Sequence, residues 1–338
     1  MSDHYLLSSV TRIAPLAHGF TVRPLPRERW QRGDYVVGEV TATPGLRQVE
    51  LPCGRMAEVM AGDLVIGAWG RRMATLEAVG DWQAIGADGG FHLLTSGGLM
   101  GRLVSRSPYV RAPVSLVYRG HVHVDGRSLR MDDCLGPAPP AGFAIPVVLI
   151  VGTSMSAGKT TAGRIVIRQL KQAGLTVVGA KLTGAARYRD ALSFQDAGAD
   201  RIFDFVDMGL PSTVCPADLF KDRLQALLAR IAWCRADVLV AEAGASPLEP
   251  YNGLTAMELL GPQVRCTILC ASDPYAVMGV ATAFACQPDL IAGGAANTSA
   301  AIDLVKRLTG REALNLLDSR SLPRLRQILA SCLEMELG

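Results

Sequence analysis

The chain has 338 residues, of which 49% are hydrophobic and 19% charged, a composition that suits buried globular cores and excludes a disordered polymer. A formal net charge of +3 is too small to indicate a polyanion partner and argues against nucleic acid. Apolar runs stop short of the roughly 20 residues that span a bilayer, and the start at Met1–His4 lacks the basic stretch of a signal peptide. Eight scattered cysteines without a C-x-x-C pair complete a pattern that predicts a cytoplasmic protein of two domains with no membrane partner.

Residues 1–143 have the pattern of a β-rich domain. Short apolar segments are separated by Gly and Pro, and helix-length periodic segments are scarce. Two of these segments follow Gly-Asp turns, and in both places this predicts a turn followed by a β-strand. This half therefore predicts a small barrel or sandwich, with strands at 35–40, 64–69 and 114–118.

Two histidines in the first half alternate along a predicted strand. His121 and His123 would share one face of it, a geometry that can contribute to a transition-metal site. Such sites need three or four ligands, however, and no further histidine lies close in the sequence. The pattern therefore favours an ordinary surface strand.

The Pro- and Gly-rich segment 135–142 separates this half from one with a different pattern. Residues 144–338 alternate strand-like and helix-like segments, which predicts an α/β fold with a parallel sheet and helices on both faces. The predicted strands are Val147–Val151, Thr176–Ala180, Asp237–Ala241, Val264–Cys270, Leu290–Gly293 and Ala313–Leu317. The predicted helices include Pro216–Ala232, Ala276–Cys286, Ser299–Leu308 and Leu322–Leu333.

A phosphate-binding loop follows the first strand of this second half. The strand runs into a glycine-containing segment that ends in Gly158-Lys159-Thr160 and then into a helical stretch, which is the context that such loops require. Small residues and a helix N-terminus suit phosphate oxygens, Lys159 would neutralise the β and γ phosphates, and the Thr160 hydroxyl would ligate Mg²⁺. The predicted nucleotide-binding residues are Gly152, Thr153, Ser154, Ser156, Ala157, Gly158, Lys159, Thr160 and Thr161.

Three charged residues follow other predicted strands of the same sheet. Asp190 and Glu242 lie where the ends of parallel strands carry ligand sites, and a carboxylate there can hold Mg²⁺. Asp190 could instead cap a helix. Lys181 would be a second cation beside the γ-phosphate, with a solvated strand-end lysine as the alternative. The chain has only five lysines against 29 arginines, so two lysines in such positions are notable.

The spacing of the loop resembles that of one family. Five residues separate Gly152 from Gly158, as in the G-T-D-T-x-V-G-K-T loop of dethiobiotin synthetase and its relatives. Four later segments, at 178–181, 189–192, 240–245 and 296–298, are similar to that family's G-x-K-P-V, S-D-A-L, V-E-G-A-G-G and N-D segments. The resemblance implies ATP and Mg²⁺ as cofactors and a homodimer. It also implies Lys159 and Lys181 as catalytic residues, Asn297 beside the adenine, and Thr160, Asp190 and Glu242 around the metal.

Two further segments, 196–200 and 205–213, resemble a two-domain P-loop family with members assigned as N-acetyltransferases of D-glutamate or D-glutamine. The chain also departs from the synthetase pattern. Ser154 and Ser156 replace two acidic residues inside the synthetase loop, Leu182 replaces a proline, and the N-terminal half has no counterpart. These departures argue against dethiobiotin synthesis itself.

The residues and the resemblance together predict an ATP- and Mg²⁺-dependent enzyme of ligase type. It would activate a small carboxylate or carbamate by phosphoryl transfer for capture by an amine, such as that of an amino acid. One alternative is an N-acyltransferase of an amino acid that uses the loop for a phosphate of coenzyme A. The other is a regulatory NTPase, although the N-K-x-D string of GTP switches is absent. The small basic excess disfavours a polynucleotide kinase.

Overall fold

The computed structural model describes residues 4–140, 142–244, 246–284 and 287–337. Contacts between Cα atoms divide the chain into two compact units. The first comprises Met1–Pro137, Gly184–Arg189 and Phe205–Pro216, and the second Ala138–Thr183, Asp190–Asp204 and Ala217–Gly338. The predicted boundary at 143/144 stays a prediction. The sequence did not indicate that two later segments belong to the first unit.

The first unit is built of short strands. They are β1 (Tyr5–Leu7), β2 (Thr21–Arg23), β3 (Tyr35–Ala42), β4 (Gln48–Glu50), β5 (Met56–Glu58), β6 (Leu64–Trp69), β7 (Arg71–Met73), β8 (Ala78–Asp81), β9 (Gly90–Leu93), β10 (Leu99–Arg106), β11 (Ser115–Val124) and β12 (Arg127–Ser128).

Five of these strands close into a small barrel. The pairings run β6–β3–β11–β9–β10, and β10 pairs back onto β6 in parallel, so the ring has no open edge. Its interior holds large side chains that are almost fully buried, such as Trp69, Phe91 and Leu116. Trp69 lies edge-on to Phe91 with ring centroids 4.8 Å apart, a favourable aromatic arrangement.

The expectation of a surface strand at His121 and His123 is wrong, because both side chains are buried. His121 Nε2 lies 3.2 Å from Asp34 Oδ2, and its Nδ1 lies 2.5 Å from the Tyr118 hydroxyl. Leu25 N–H donates to the same hydroxyl. The two histidines therefore lie on a strand face that points into the unit, where their ring nitrogens have hydrogen-bond partners.

A buried carboxylate joins one of the later segments to the first unit. Glu50 is fully buried and accepts hydrogen bonds from the Ser9 hydroxyl and from the backbone amides of Tyr188 and Arg189, at 2.6, 2.7 and 2.8 Å. Three donors satisfy a charge that would otherwise be expensive to bury. The segment Gly184–Arg189 thereby completes a polar network of the first unit.

The second unit alternates strands and helices. Its strands are β13 (Val147–Gly152), β14 (Val177–Thr183), β15 (Arg201–Asp204), β16 (Val238–Ala243), β17 (Val264–Cys270) and β18 (Leu290–Ala292). The helices are α1 (Lys159–Gln172), α2 (Tyr188–Asp196), α3 (Ala217–Trp233), α4 (Gly253–Leu260), α5 (Pro274–Phe284), α6 (Ser299–Thr309) and α7 (Leu322–Leu333). The predicted helix end at Cys286 lies outside the described residues.

The strands of the second unit form one parallel sheet in the order β15–β14–β16–β13–β17–β18. One face packs against α1 and α7 through residues such as Val148 and Val240, and the alternate residues of the same strands, such as Leu149, are buried on the other face. The predicted α/β class is confirmed. Within the described ranges, no helix combines the length and the apolar character that a bilayer-spanning segment needs.

The sixth strand of the sheet is not the predicted one. The prediction placed it at Ala313–Leu317, but the structure shows only an isolated bridge from Ile291 to Ala313. Asn315 ends the pairing, because its side-chain oxygen accepts from Leu317 N–H in a local turn. The sixth strand is instead β15, on the opposite edge beside β14.

Candidate functional site

The loop between β13 and α1 has the backbone of a phosphate-binding loop. Ser156 and Gly158 adopt left-handed conformations, with φ of 64° and 97°, immediately before α1 begins at Lys159. Gly152, at the end of β13, leaves space for the lysine, since a Cβ there would lie 2.8 Å from Lys159 Cδ. The sequence therefore needs glycine at both ends of this loop.

Neighbouring segments of the second unit hold the loop in place. Thr153 N–H donates to the Cys270 carbonyl, and the Thr153 hydroxyl accepts from Ser272 N–H, both at 3.1 Å. Gly293 follows β18 with φ of 79°, and a Cβ on it would lie 2.3 Å from the Ala157 carbonyl oxygen. The loop is thus in close backbone contact with the segment after β18.

Lys159 lies beneath the loop and is almost fully buried. Its ammonium donates to the Ser154 carbonyl at 2.6 Å. Burial lowers the pKa of Lys159, while the negative charges of Glu242 and Glu249 act in the opposite direction. The Lys159 ammonium is therefore a buried hydrogen-bond donor at the N-terminus of α1.

Strand register brings two charged residues side by side. Lys181 on β14 is paired with Glu242 on β16, and Glu242 is paired on its other side with Ile150 of β13. Glu242 is therefore one strand away from β13 and Lys181 two strands away, both towards the carboxyl edge of the sheet. Glu242 is 2% exposed, so protein partners rather than water must satisfy its carboxylate oxygens.

The predicted site residues form one connected cluster. The Thr160 hydroxyl donates to Glu242 Oε2 at 2.9 Å. The Lys181 ammonium forms an ion pair with Asp190 and lies 3.8 Å from Glu242 Oε1. Asp190 is in the first turn of α2. The structure thus brings together Thr160, Lys181, Asp190 and Glu242, and Lys159 is near enough for the charges of Glu242 and Lys181 to shift its pKa.

The remaining predicted residues occupy two places. Thr153, Ser154, Ser156 and Ala157 form the loop itself, and Thr161 is exposed in the first turn of α1. Asn297 is exposed, four residues beyond Gly293, and its carbonyl accepts from the Asn315 side chain at 3.1 Å. Ala245, in one of the segments that resemble the synthetase, lies outside the described residues.

The sequence left two segments undecided, 247–252 and 273–275. Segment 247–252 follows Glu242, and the sequence did not show which of its residues points inward. The structure buries Glu249 to 8% exposure, near enough for its charge to raise the pKa of Lys159. The available signal was an acidic residue between two prolines directly after the end of a strand.

The residues present fit a nucleotide with Mg²⁺. The Thr160 hydroxyl contacts Glu242, and Lys181 connects Glu242 to Asp190; hydroxyl and carboxylate oxygens are ligands that Mg²⁺ takes. The Lys159 ammonium has three donors, of which one is used within the described part of the chain. Among the described residues, two donors of this buried cation therefore have no protein acceptor and suit phosphate oxygens.

Comparisons with known proteins give similarity in fold only. No protein-family model and no curated protein matches the chain. The alignment with signal recognition particle receptor FtsY from Elizabethkingia anophelis covers 52% of this chain and 60% of that chain, with 16% identity and a TM-score of 0.35. The chain thus spans less than two thirds of that structure's length.

Two other solved structures are matched over more of their own length. HypB from Helicobacter pylori in complex with nickel matches 56% of this chain and 88% of its own, with 15% identity and a TM-score of 0.37. The alignment with a ParA family ATPase from Chlorobium tepidum TLS covers 56% of this chain and 92% of that chain, with 14% identity and a TM-score of 0.32. Scores this low carry no argument about function.

The class of the site follows from this chain's own geometry. A strand, a glycine-bounded loop and a helix that begins at Lys159-Thr160 are the elements that define a P-loop. The second unit accordingly carries a loop of P-loop geometry on a six-stranded parallel sheet.

Proposed function

We propose that the second unit binds ATP with Mg²⁺ and transfers the γ-phosphoryl group to a small carboxylate or carbamate, for capture by an amine. One observation carries the proposal. Two lysines, two carboxylates and a threonine hydroxyl from four elements meet at the carboxyl edge of one sheet, around the loop. Phosphoryl transfer asks for this combination of cations and metal ligands and for little covalent chemistry by the protein.

Each residue of the cluster has a distinct role in this proposal. Thr160, Glu242 and Asp190 hold Mg²⁺, which when bound neutralises phosphate charge. Lys159 holds the β and γ phosphates from the helix N-terminus. Lys181 comes from β14, on the far side of β16 from the loop strand, and its ammonium faces the acceptor side, where charge develops during transfer.

We infer that the base of the nucleotide is adenine. The N-K-x-D string that reads guanine is absent from the sequence, and Asn297 lies just beyond the glycine that touches the loop. Competition of ATP and GTP against a fluorescent adenine nucleotide tests the inference, with ATP expected to bind more tightly. Tighter binding of GTP would reverse it.

A phosphate-release screen tests the reaction. The purified full chain is incubated with ATP, Mg²⁺ and pooled small carboxylates and amines, with Lys159→Ala as the control. Phosphate release that depends on one carboxylate, and product formation that also needs an amine, are expected. Turnover of acetyl-coenzyme A without ATP consumption would replace the proposal with the acyltransferase. ATP hydrolysis that no acceptor accelerates would favour a regulatory NTPase.

The homodimer remains a prediction that rests on resemblance to the synthetase family. Light scattering at micromolar concentration tests it directly. A mass close to twice 35.9 kDa is expected, and a monomer would remove the prediction without affecting the proposed chemistry.

A further inference from the structure

A second cluster of ligand-type side chains lies in the second unit, away from the loop. Cys266, Asp289 and Cys332 bring two sulfur atoms and a carboxylate oxygen within 4.8 Å of one another. They come from three separate elements: the start of β17, the residue before β18 and the last turns of α7. The proposed phosphoryl transfer uses none of them.

The cluster is at the opposite end of the sheet from the loop. Cys266 pairs with Val148 near the start of β13, whereas Cys270 pairs with Gly152 at its end. Four residues along a strand correspond to roughly 13 Å. A ligand bound here would therefore be separate from the nucleotide.

The side chains are held in place before any ligand arrives. The Asp289 carboxylate accepts from Thr267 N–H at 2.7 Å through Oδ2. Cys266 is fully buried in the core, and Cys332 packs partly buried against the same core. A hydrogen bond joins the two thiols. Asp289 is exposed, so the cluster can be reached from solvent.

We propose that Cys266, Asp289 and Cys332 bind a soft divalent cation such as Zn²⁺, with the fourth position open to water. Two thiolates and one carboxylate are donors that Zn²⁺ accepts, and thiolates select against Mg²⁺ and Ca²⁺. Binding breaks two S–H bonds and releases two protons to solvent as two metal–sulfur bonds form. The ion links α7 to two strands of the sheet.

Cobalt absorption tests the proposal on the reduced full chain. One equivalent of Co²⁺ should give the sulfur-to-cobalt charge-transfer band and the visible bands of a tetrahedral site, and Zn²⁺ should displace them. Oxygen ligands around Thr160 and Glu242 give no such charge-transfer band, so the two sites are distinguished. Absence of the band in the parent protein would overturn the proposal.

Variants locate the ligands. Cys332→Ser should weaken Zn²⁺ binding at least about a hundredfold, since changes one shell further out already cost about 10- to 100-fold. Asp289→Asn should weaken it by about tenfold or more. Cys234→Ser is the matched control, because that thiol donates to the Arg230 carbonyl on α3 and should leave binding unchanged. Unchanged binding in Cys332→Ser would contradict the proposal even if variants of the buried Cys266 fail to fold.

Discussion

Lys159 and Lys181 belong to one cluster, yet their surroundings differ in a way that separates their roles. Lys159 is buried under the loop and bonded to a loop carbonyl, whereas Lys181 is held between Asp190 and Glu242. The first lysine is positioned for the ground-state phosphates. The second is among metal-side carboxylates, where we propose that it meets charge formed only during transfer.

Lys181→Ala should therefore bind ATP with Mg²⁺ within a few-fold of the parent protein and turn over at least about a hundredfold more slowly. Equilibrium binding and single-turnover kinetics measure the two effects. Lys171→Ala is the matched control, because Lys171 forms an ion pair with Asp200 nearer the surface. Full activity of Lys181→Ala would leave this buried lysine only the structural role of pairing with Asp190 and Glu242.

The buried ammonium of Lys159 should also affect stability as pH changes. Burial lowers its pKa in the folded state, whereas the unfolded chain keeps the proton up to about pH 10.4. Between the two pKa values the unfolded state binds more protons, so the free energy of unfolding should rise with pH. Urea denaturation of the parent protein and of Lys159→Met at a series of pH values up to about pH 10 isolates this contribution. Parallel pH profiles for the two proteins would contradict it.

The residues of the cluster could be predicted because each lies at or beyond the carboxyl end of an apolar strand of a parallel sheet. Glu242 after an apolar run, and Lys159 within the loop, were visible from local sequence alone. Glu249 was not assigned, because its burial depends on how segment 247–252 folds back. His121 was misplaced because alternation along a strand shows which residues share a face, not which face is buried.

At the scale of elements, the loop depends on contact with the segment after β18. An Ala at Gly293 would carry a Cβ 2.3 Å from the Ala157 carbonyl and would retain a positive φ that disfavours a side chain. Strain of about 1–3 kcal/mol would fall on the loop.

Gly293→Ala should weaken nucleotide binding by roughly tenfold or more while the sheet remains folded. Gly279→Ala is the matched control, because a Cβ on this glycine of α5 meets open space. Titration calorimetry for affinity and circular dichroism for folding separate the two effects. Equal affinities in both variants would show that the contact does not matter for the loop.

Element prediction succeeded where an apolar run was long and bounded by turns. The predicted bounds of Val264–Cys270 and Leu322–Leu333 agree with β17 and α7. The four-residue strand Arg201–Asp204 was missed because it is short and begins and ends with charged residues. Ala313–Leu317 was mistaken for a strand because the Asn315 turn that ends its pairing is a side-chain effect within an apolar run.

At the scale of the whole molecule, the chain passes from one unit to the other several times. A cut between Leu135 and Gly142 leaves Gly184–Arg189 and Phe205–Pro216, which belong to the first unit, on the C-terminal fragment. Glu50 would then be on the N-terminal fragment and its two amide donors on the other. Loss of those donors would leave a buried carboxylate under-satisfied.

Limited proteolysis should cut first between Leu135 and Gly142, and the nicked protein should still elute as one species in gel filtration. Urea should be needed to separate the fragments. Glu50→Gln should lower the urea concentration required, because an amide is a weaker acceptor than a charged carboxylate. First cuts inside 150–200, or separation of the fragments without denaturant, would contradict this account of the chain's organisation.

The central claim is that the cluster around Lys159 binds ATP together with Mg²⁺. The dissociation constant of ATP, measured by calorimetry with Mg²⁺ and then with EDTA, tests it most directly. The parent protein should bind ATP measurably with Mg²⁺ and more weakly without it, and Lys159→Ala should lose binding in both conditions. ATP binding that is absent in the parent protein, or that neither EDTA nor Lys159→Ala alters, would contradict the claim.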